Sequence, residues 1–318
     1  MKKAVIILLA LLLLAPVAVY FFFPGVLYSL SMTKARNDAA LEKKSITIND
    51  HEIVYLEGGT GDTILLVHGF TADKDNWTRM AKLLTPDYHV VALDLPGFGE
   101  STKIQERSYT IASQVLRLNQ FVSALQLSRF HIAGNSMGGA VSGRYTAHFP
   151  EKVVTLGLFN TGGVSSCEKS ELRKRIENGE NPLLIETPEQ YDSMLEFVFV
   201  RPPAIPGPVK KYLIKNAMAA KDFNEKIMGD LAGENYSLEG DLADIKAHTL
   251  ILWGDKDRLI DVSCVKPLQN GISNAATIIM EDCGHLPMLE RPEETARHYR
   301  SFLKAAGGPL DMAFEIRK

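Results

Sequence analysis

The chain has 318 residues, 46% hydrophobic and 23% charged, with a formal net charge of −3. A chain of this length buries a sizeable core, as one large domain or as one domain with an insertion. Its charge balance excludes the basic footprint of a nucleic-acid binder, and three cysteines are too few for a disulfide framework.

After Met1-Lys2-Lys3 come twenty uncharged residues, 4–23. Twenty apolar residues are about the length of a helix that crosses a hydrocarbon core of roughly 30 Å. We read residues 1–30 as an uncleaved signal anchor, with Lys2 and Lys3 on the cytoplasmic side. The rest of the chain would then lie outside the inner membrane, tethered by a single pass. The alternative is a cleaved signal peptide that releases the protein to the periplasm or medium; its one cleavage candidate is Ala15-Pro16-Val17-Ala18. Residues 31–44 read as a linker.

From Ser45 onward, short apolar runs alternate with longer amphipathic ones. Strands are predicted at 45–48, 52–57, 63–67, 89–94, 129–133, 153–159, 249–253 and 276–281. Helices are predicted at 77–84, 110–125, 137–149, 262–271 and 293–303. This pattern implies an α/β fold whose mainly parallel, eight-stranded sheet is covered on both faces. The alternation breaks between Gly162 and Leu242, where six of the fifteen prolines fall. We read 162–242 as a helical cap, inserted between core segments 45–161 and 243–306, with 307–318 a C-terminal tail. Within it, Leu195, Phe197, Val198, Phe199 and Val200 crowd together, and an apolar cavity beneath them is expected.

Gly134-Asn135-Ser136-Met137-Gly138 falls where a strand gives way to a helix. It matches Gly-x-Ser-x-Gly, a turn that exposes a strained serine above a sheet and leaves room only for glycine on either side. A serine hydroxyl needs a base, and the base needs an orienting acid. In chain order the acid should come next and the histidine last. His285 follows the last predicted strand and is the expected base. Asp255 and Asp257 both follow the 249–253 strand; we choose Asp257, because a turn there carries the second of the pair toward the sheet's end. Oxyanion donors are expected from the backbone amides of Met137 and of Phe70, with His68 bracing the Phe70 loop. Asp94-Leu95-Pro96-Gly97-Phe98-Gly99-Glu100-Ser101 reads as a rigid structural loop.

No Cys-x-x-Cys or His-x-x-x-His pair is present, so no metal site is signalled. Cys167, Cys264 and Cys283 are expected as three separate packed thiols. A Cys264–Cys283 bridge is the pairing considered if the domain lies in an oxidising compartment.

Together His68-Gly69-Phe70, Asp94-x-Pro96-Gly97-x-Gly99-x-Ser101, Gly134-Asn135-Ser136-Met137-Gly138-Gly139, Trp253-Gly254-Asp255-Lys256-Asp257 and Gly284-His285 resemble the α/β-hydrolase superfamily over residues 45–305. The chain is similar to proteobacterial family V lipases and to membrane-anchored monoacylglycerol lipases of the abhydrolase class. The N-terminal anchor, Asn181-Pro182-Leu183-Leu184 and Phe199-Val200-Arg201-Pro202-Pro203 support the narrower likeness. The resemblance implies a serine carboxylic-ester hydrolase acting on acylglycerols without cofactor or metal, with Asp257 completing the triad; a monomer is expected. A carbon–carbon bond hydrolase of ring-cleavage diketo acids is the nearest alternative, and a non-catalytic membrane-tethered binding protein is the next.

Overall fold

Strands form where β-branched residues and leucines cluster, and helices fill the amphipathic stretches between them. The computed structural model of the protein describes residues 3, 20, 22–234 and 236–306. Helix α1 (Pro24–Asp38) leads into β1 (Leu41–Ile48), β2 (His51–Gly58) and β3 (Thr63–Val67). Then come α2 (Thr78–Ala81), β4 (His89–Leu93), α3 (Ile111–Ala124), β5 (Phe130–Asn135), α4 (Met137–His148) and β6 (Val153–Phe159). Four helices interrupt the alternation: α5 (Glu171–Glu177), α6 (Pro188–Val198), α7 (Gly207–Ala219) and α8 (Lys221–Glu234). The chain ends its described part with β7 (His248–Gly254), α9 (Val265–Gly271), β8 (Ala275–Met280), α10 (Pro287–Glu290) and α11 (Pro292–Ala306).

The eight strands pair in the order β1-β2-β4-β3-β5-β6-β7-β8. β2 runs antiparallel to both β1 and β4, and every later pairing is parallel. Side chains alternate between faces along a strand, so each strand feeds two cores. Leu65 and Val67 of β3 join Val91, Ile132, Val141 and Tyr145 on one face. Ile64 and Leu66 join Trp77, Met80, Tyr299 and Leu303 on the other. The chain moves outward from β3 to β4 and then returns to place β5 on β3's other side. Such a reversal opens a crevice at the carboxyl ends of the strands, where open α/β sheets place their sites.

Three sequence expectations change here. The stretch read as linker, 31–44, is the second half of α1 and the start of β1, because β1 pairs with β2 from Leu41 opposite Gly58 onward. Residues 24–30, assigned to the anchor, are the first turns of α1; the apolar run 4–23 lies almost wholly outside the described residues. Among those described, no helix is long and apolar enough to cross a membrane. The cysteines do not remain three separate thiols, nor does Cys264 join Cys283. Cys167, between β6 and α5, is bonded to Cys264 across 97 residues, because the entrance to the insertion passes over the loop that follows β7. Cys283 stays free and buried, and that burial pushes its thiol up to about 12.

Candidate active site

β5 ends in Asn135, and Ser136 starts the turn into α4 with φ 56° and ψ −123°. A non-glycine residue at positive φ costs of order 1–3 kcal/mol and persists only where its surroundings over-determine it. They do so here. The Ser136 N–H donates to Phe159 O at 3.1 Å, and the Ser136 carbonyl accepts from Gly139, Ala140 and Gly162. The flanking glycines explain themselves by contact. A Cβ on Gly134 would sit 2.1 Å from Gly138 O, and one on Gly138 would sit 2.3 Å from Val67 O. Strand, turn and helix can therefore approach this closely only without side chains. The N-terminus of α4, with its partial positive charge, begins at Met137, so its backbone amides gather beside the serine.

His285 lies in the segment between β8 and α10, with its own N–H bonded to Val198 O at the end of α6. Its Nδ1 is 2.7 Å from Asp257 Oδ2, and both side chains are almost fully buried. Asp257, in the loop after β7, is held on all sides. Its Oδ1 accepts the Leu259 and Ile260 N–H groups at 2.8 and 3.0 Å. Its Oδ2 also accepts Asn160 Nδ2 at 2.7 Å. Asp255 faces elsewhere: it pairs with exposed Lys256 and accepts from Cys283 N–H, which is the work of a turn former.

Sequence reasoning missed Asn160. It follows β6 with φ 45°, another strained non-glycine, and nothing in its local sequence points to a role. Asn135, beside the serine, was also passed over. Its Nδ2 donates to both Phe159 O and His285 O at 3.0 Å, fastening the histidine's backbone to the end of β5.

The Phe70 loop meets the serine from β3. A Cβ on Gly69 would come within 2.9 Å of Ser136 Cβ, so the backbone there runs against the nucleophile candidate. His68 is fully buried beneath it. The Leu95 N–H donates to His68 Nε2 at 2.9 Å, which leaves Nδ1 protonated to donate to Gly69 O at 2.7 Å. Burial holds this imidazole below its ordinary range, so it is a neutral brace. The Asp94 loop is likewise structural. Asp94 Oδ1 accepts the Lys74 amide, and Oδ2 accepts both the Lys74 ammonium and the Glu100 amide.

A family model described as the alpha/beta hydrolase family matches residues 64–298. The chain belongs to the alpha/beta hydrolase family. Among solved structures, the chain is similar to a membrane phospholipase A described as a bacterial virulence factor. The two share 46% identity with a TM-score of 0.89, over 96% of this chain and 99% of that one. Lipase 1 of Psychrobacter immobilis is 39% identical, over 84% of this chain and 86% of the relative. Monoacylglycerol lipase ABHD6 of Rattus norvegicus is 30% identical, over 95% and 94% respectively. Relatives and fold together support a lipase-type hydrolase.

In this alpha/beta hydrolase, Ser136, Phe70 and His285 line one cavity of about 530 Å³, whose roof and walls are mostly apolar. Leu195, Val198 and Phe199 face into it, whereas Phe197 packs away among Val198, Phe199 and Leu259. The cavity adjoins a second, of about 850 Å³, where Arg36, Lys43, Asp73, Lys74 and Lys103 supply charge. The first cavity is the more apolar of the two. Among the described residues, no cluster of histidine, cysteine and carboxylates could hold a metal ion.

Proposed function

We propose that the protein is a serine carboxylic-ester hydrolase that cleaves lipid esters of the acylglycerol class through an acyl-enzyme on Ser136. The observation that carries this reading is the buried Asp257–His285 pair beside an apolar cavity that also receives the strained serine. His285 Nε2 takes the Ser136 proton as Oγ attacks the ester carbonyl. The Met137 and Phe70 amides stabilise the oxyanion, and Asp257 stabilises the imidazolium. The imidazolium then protonates the departing alkoxide, and water, deprotonated by His285, releases the fatty acid. The lipases among the relatives support lipid esters as the substrate over diketo acids.

The reading includes an uncleaved N-terminal anchor, with the catalytic domain on the extracytoplasmic side and the membrane as lipid source. The Cys167–Cys264 bond supports that side, since disulfides persist in oxidising compartments.

Ser136→Ala should abolish p-nitrophenol release from acyl esters while the protein stays folded by circular dichroism; near-wild-type turnover would remove the assignment. A turnover profile over mono-, di- and triacylglycerols and lysophospholipids, with a diketo acid as control, would then name the ester.

A further inference from the structure

Helix α1 is a wall of the cavity that holds Ser136, not a spacer. Tyr28, Met32 and Ala35 line that cavity. The Tyr28 ring packs 5.4 Å from the Tyr212 ring of α7, fixing α1 to the insertion. At its other end α1 reaches the core through Arg36, which also lies 3.6 Å from Glu100 Oε1. Arg36 Nε donates to Asp75 Oδ1 at 2.7 Å and Nη2 to Oδ2 at 2.6 Å. This is a two-pronged pair with side chains only 13% and 7% exposed.

Asp75 ends the segment that starts at Phe70. That segment does not hold its shape through its own backbone preferences. Thr71, directly after Phe70, has φ 58°, a costly value for a β-branched residue. Other bonds must keep it there. His68 braces one side, Asp94 holds Lys74, and Asp73 Oδ1 accepts the Asp75 N–H at 2.8 Å. The Arg36 fork closes the far end.

We infer that Arg36 is a positioning residue, whose bidentate grip on Asp75 fixes the Phe70 loop and so the aim of the Phe70 amide at the oxyanion. The inference rests on the ester-hydrolase reading above. A planar fork matters because it fixes Asp75 in rotation as well as distance; a lysine ammonium keeps the charge but only one point of attachment. Misplacing a catalytic donor by about 1 Å costs on the order of 10²-fold in rate.

The test uses the full chain with p-nitrophenyl butyrate and a p-nitrophenyl alkylphosphonate that labels Ser136. Arg36→Ala should lower kcat by about 10–100-fold with KM changed less than about threefold, and slow phosphonylation in parallel. Arg36→Lys should recover part of kcat. Asp75→Asn combined with Arg36→Ala should be within about threefold of Arg36→Ala alone, because the two share the fork and Asp75 otherwise makes, among the described residues, only the longer contact with Lys74 Nζ at 3.5 Å. Lys34→Ala, which breaks an exposed pair with Asp38 on the same helix, should leave kcat unchanged. A rise in KM at constant kcat would overturn the inference and leave α1 as a cavity wall. So would a loss of activity that only follows the loss of folded protein in thermal melts. If the phosphonate does not label wild-type Ser136, the ester reading itself fails; if it labels both wild type and Arg36→Ala equally fast, only the inference does.

Discussion

Replacing Asp257 by asparagine is the sharpest perturbation of the proposed site, because the change is nearly isosteric and its consequences can be counted bond by bond. The carboxylate accepts four hydrogen bonds: from His285 and Asn160 at Oδ2, and from the Leu259 and Ile260 amides at Oδ1. An amide has one acceptor end. If its oxygen keeps the two backbone N–H groups, its NH₂ faces the Asn160 NH₂ and the His285 Nδ1–H. His285 then escapes the clash by moving its proton to Nε2, which leaves no base facing Ser136. In a serine-protease triad the same loss of the correct tautomer lowers kcat roughly 10⁴-fold, equivalent to about 5.4 kcal/mol of barrier at 1.36 kcal/mol per decade. The Asn160 donor, left with only the long contact to Gly284 O at 3.5 Å, adds about 1–3 kcal/mol of instability, or a Tm loss of roughly 2–12 °C for a domain of this size. Turnover of p-nitrophenyl butyrate and thermal melts should therefore show a near-dead, still folded protein. Asp255→Asn, which loses a partly exposed pair with Lys256, should stay within about threefold of wild type. More than a tenth of wild-type kcat in Asp257→Asn, or equal losses at both positions, would refute the reasoning.

Two further outcomes follow from charge and covalency. Reducing the Cys167–Cys264 bond, or Cys167→Ser, should lower Tm markedly, since releasing a closed loop of 97 residues loses up to about 4–5 kcal/mol; an unchanged melt in reductant would show that the bond adds nothing. Asp73, partly buried and facing Asp94 and Asp75, is pushed up to about 7 by burial and by those two carboxylates, against a smaller opposing pull from Lys74. Its folded form thus keeps a proton that the unfolded chain gives up near pH 4, so its contribution to stability falls as pH rises from about 4 to 7. Asp73→Asn, which keeps the oxygen that caps Asp75 N–H, should melt close to wild type at pH 4 and above it at pH 8. A constant offset across that range would contradict the assignment.

Much of this molecule was legible in one dimension because it depends on neighbours in sequence. The strand and helix periods and the glycines around Ser136 follow from local sterics and local burial. So does the placing of Asp257 and His285 after successive strands. The bracing histidine was readable for the same reason, since His68 acts on the residue next to it. Other features join segments that the sequence keeps far apart: Asn160 to Asp257, Asn135 to His285, Arg36 to Asp75 and Cys167 to Cys264. Asparagine, arginine and cysteine carry no local sign of such partners. Periodicity marks which residues are buried, not which buried group will stand 2.7 Å away from which other. The sequence by itself therefore determined the sheet, the turn and the proposed chemical cast. Only the folded chain, by setting the order of strands and the path of the insertion over them, decided the contacts that hold that cast in place.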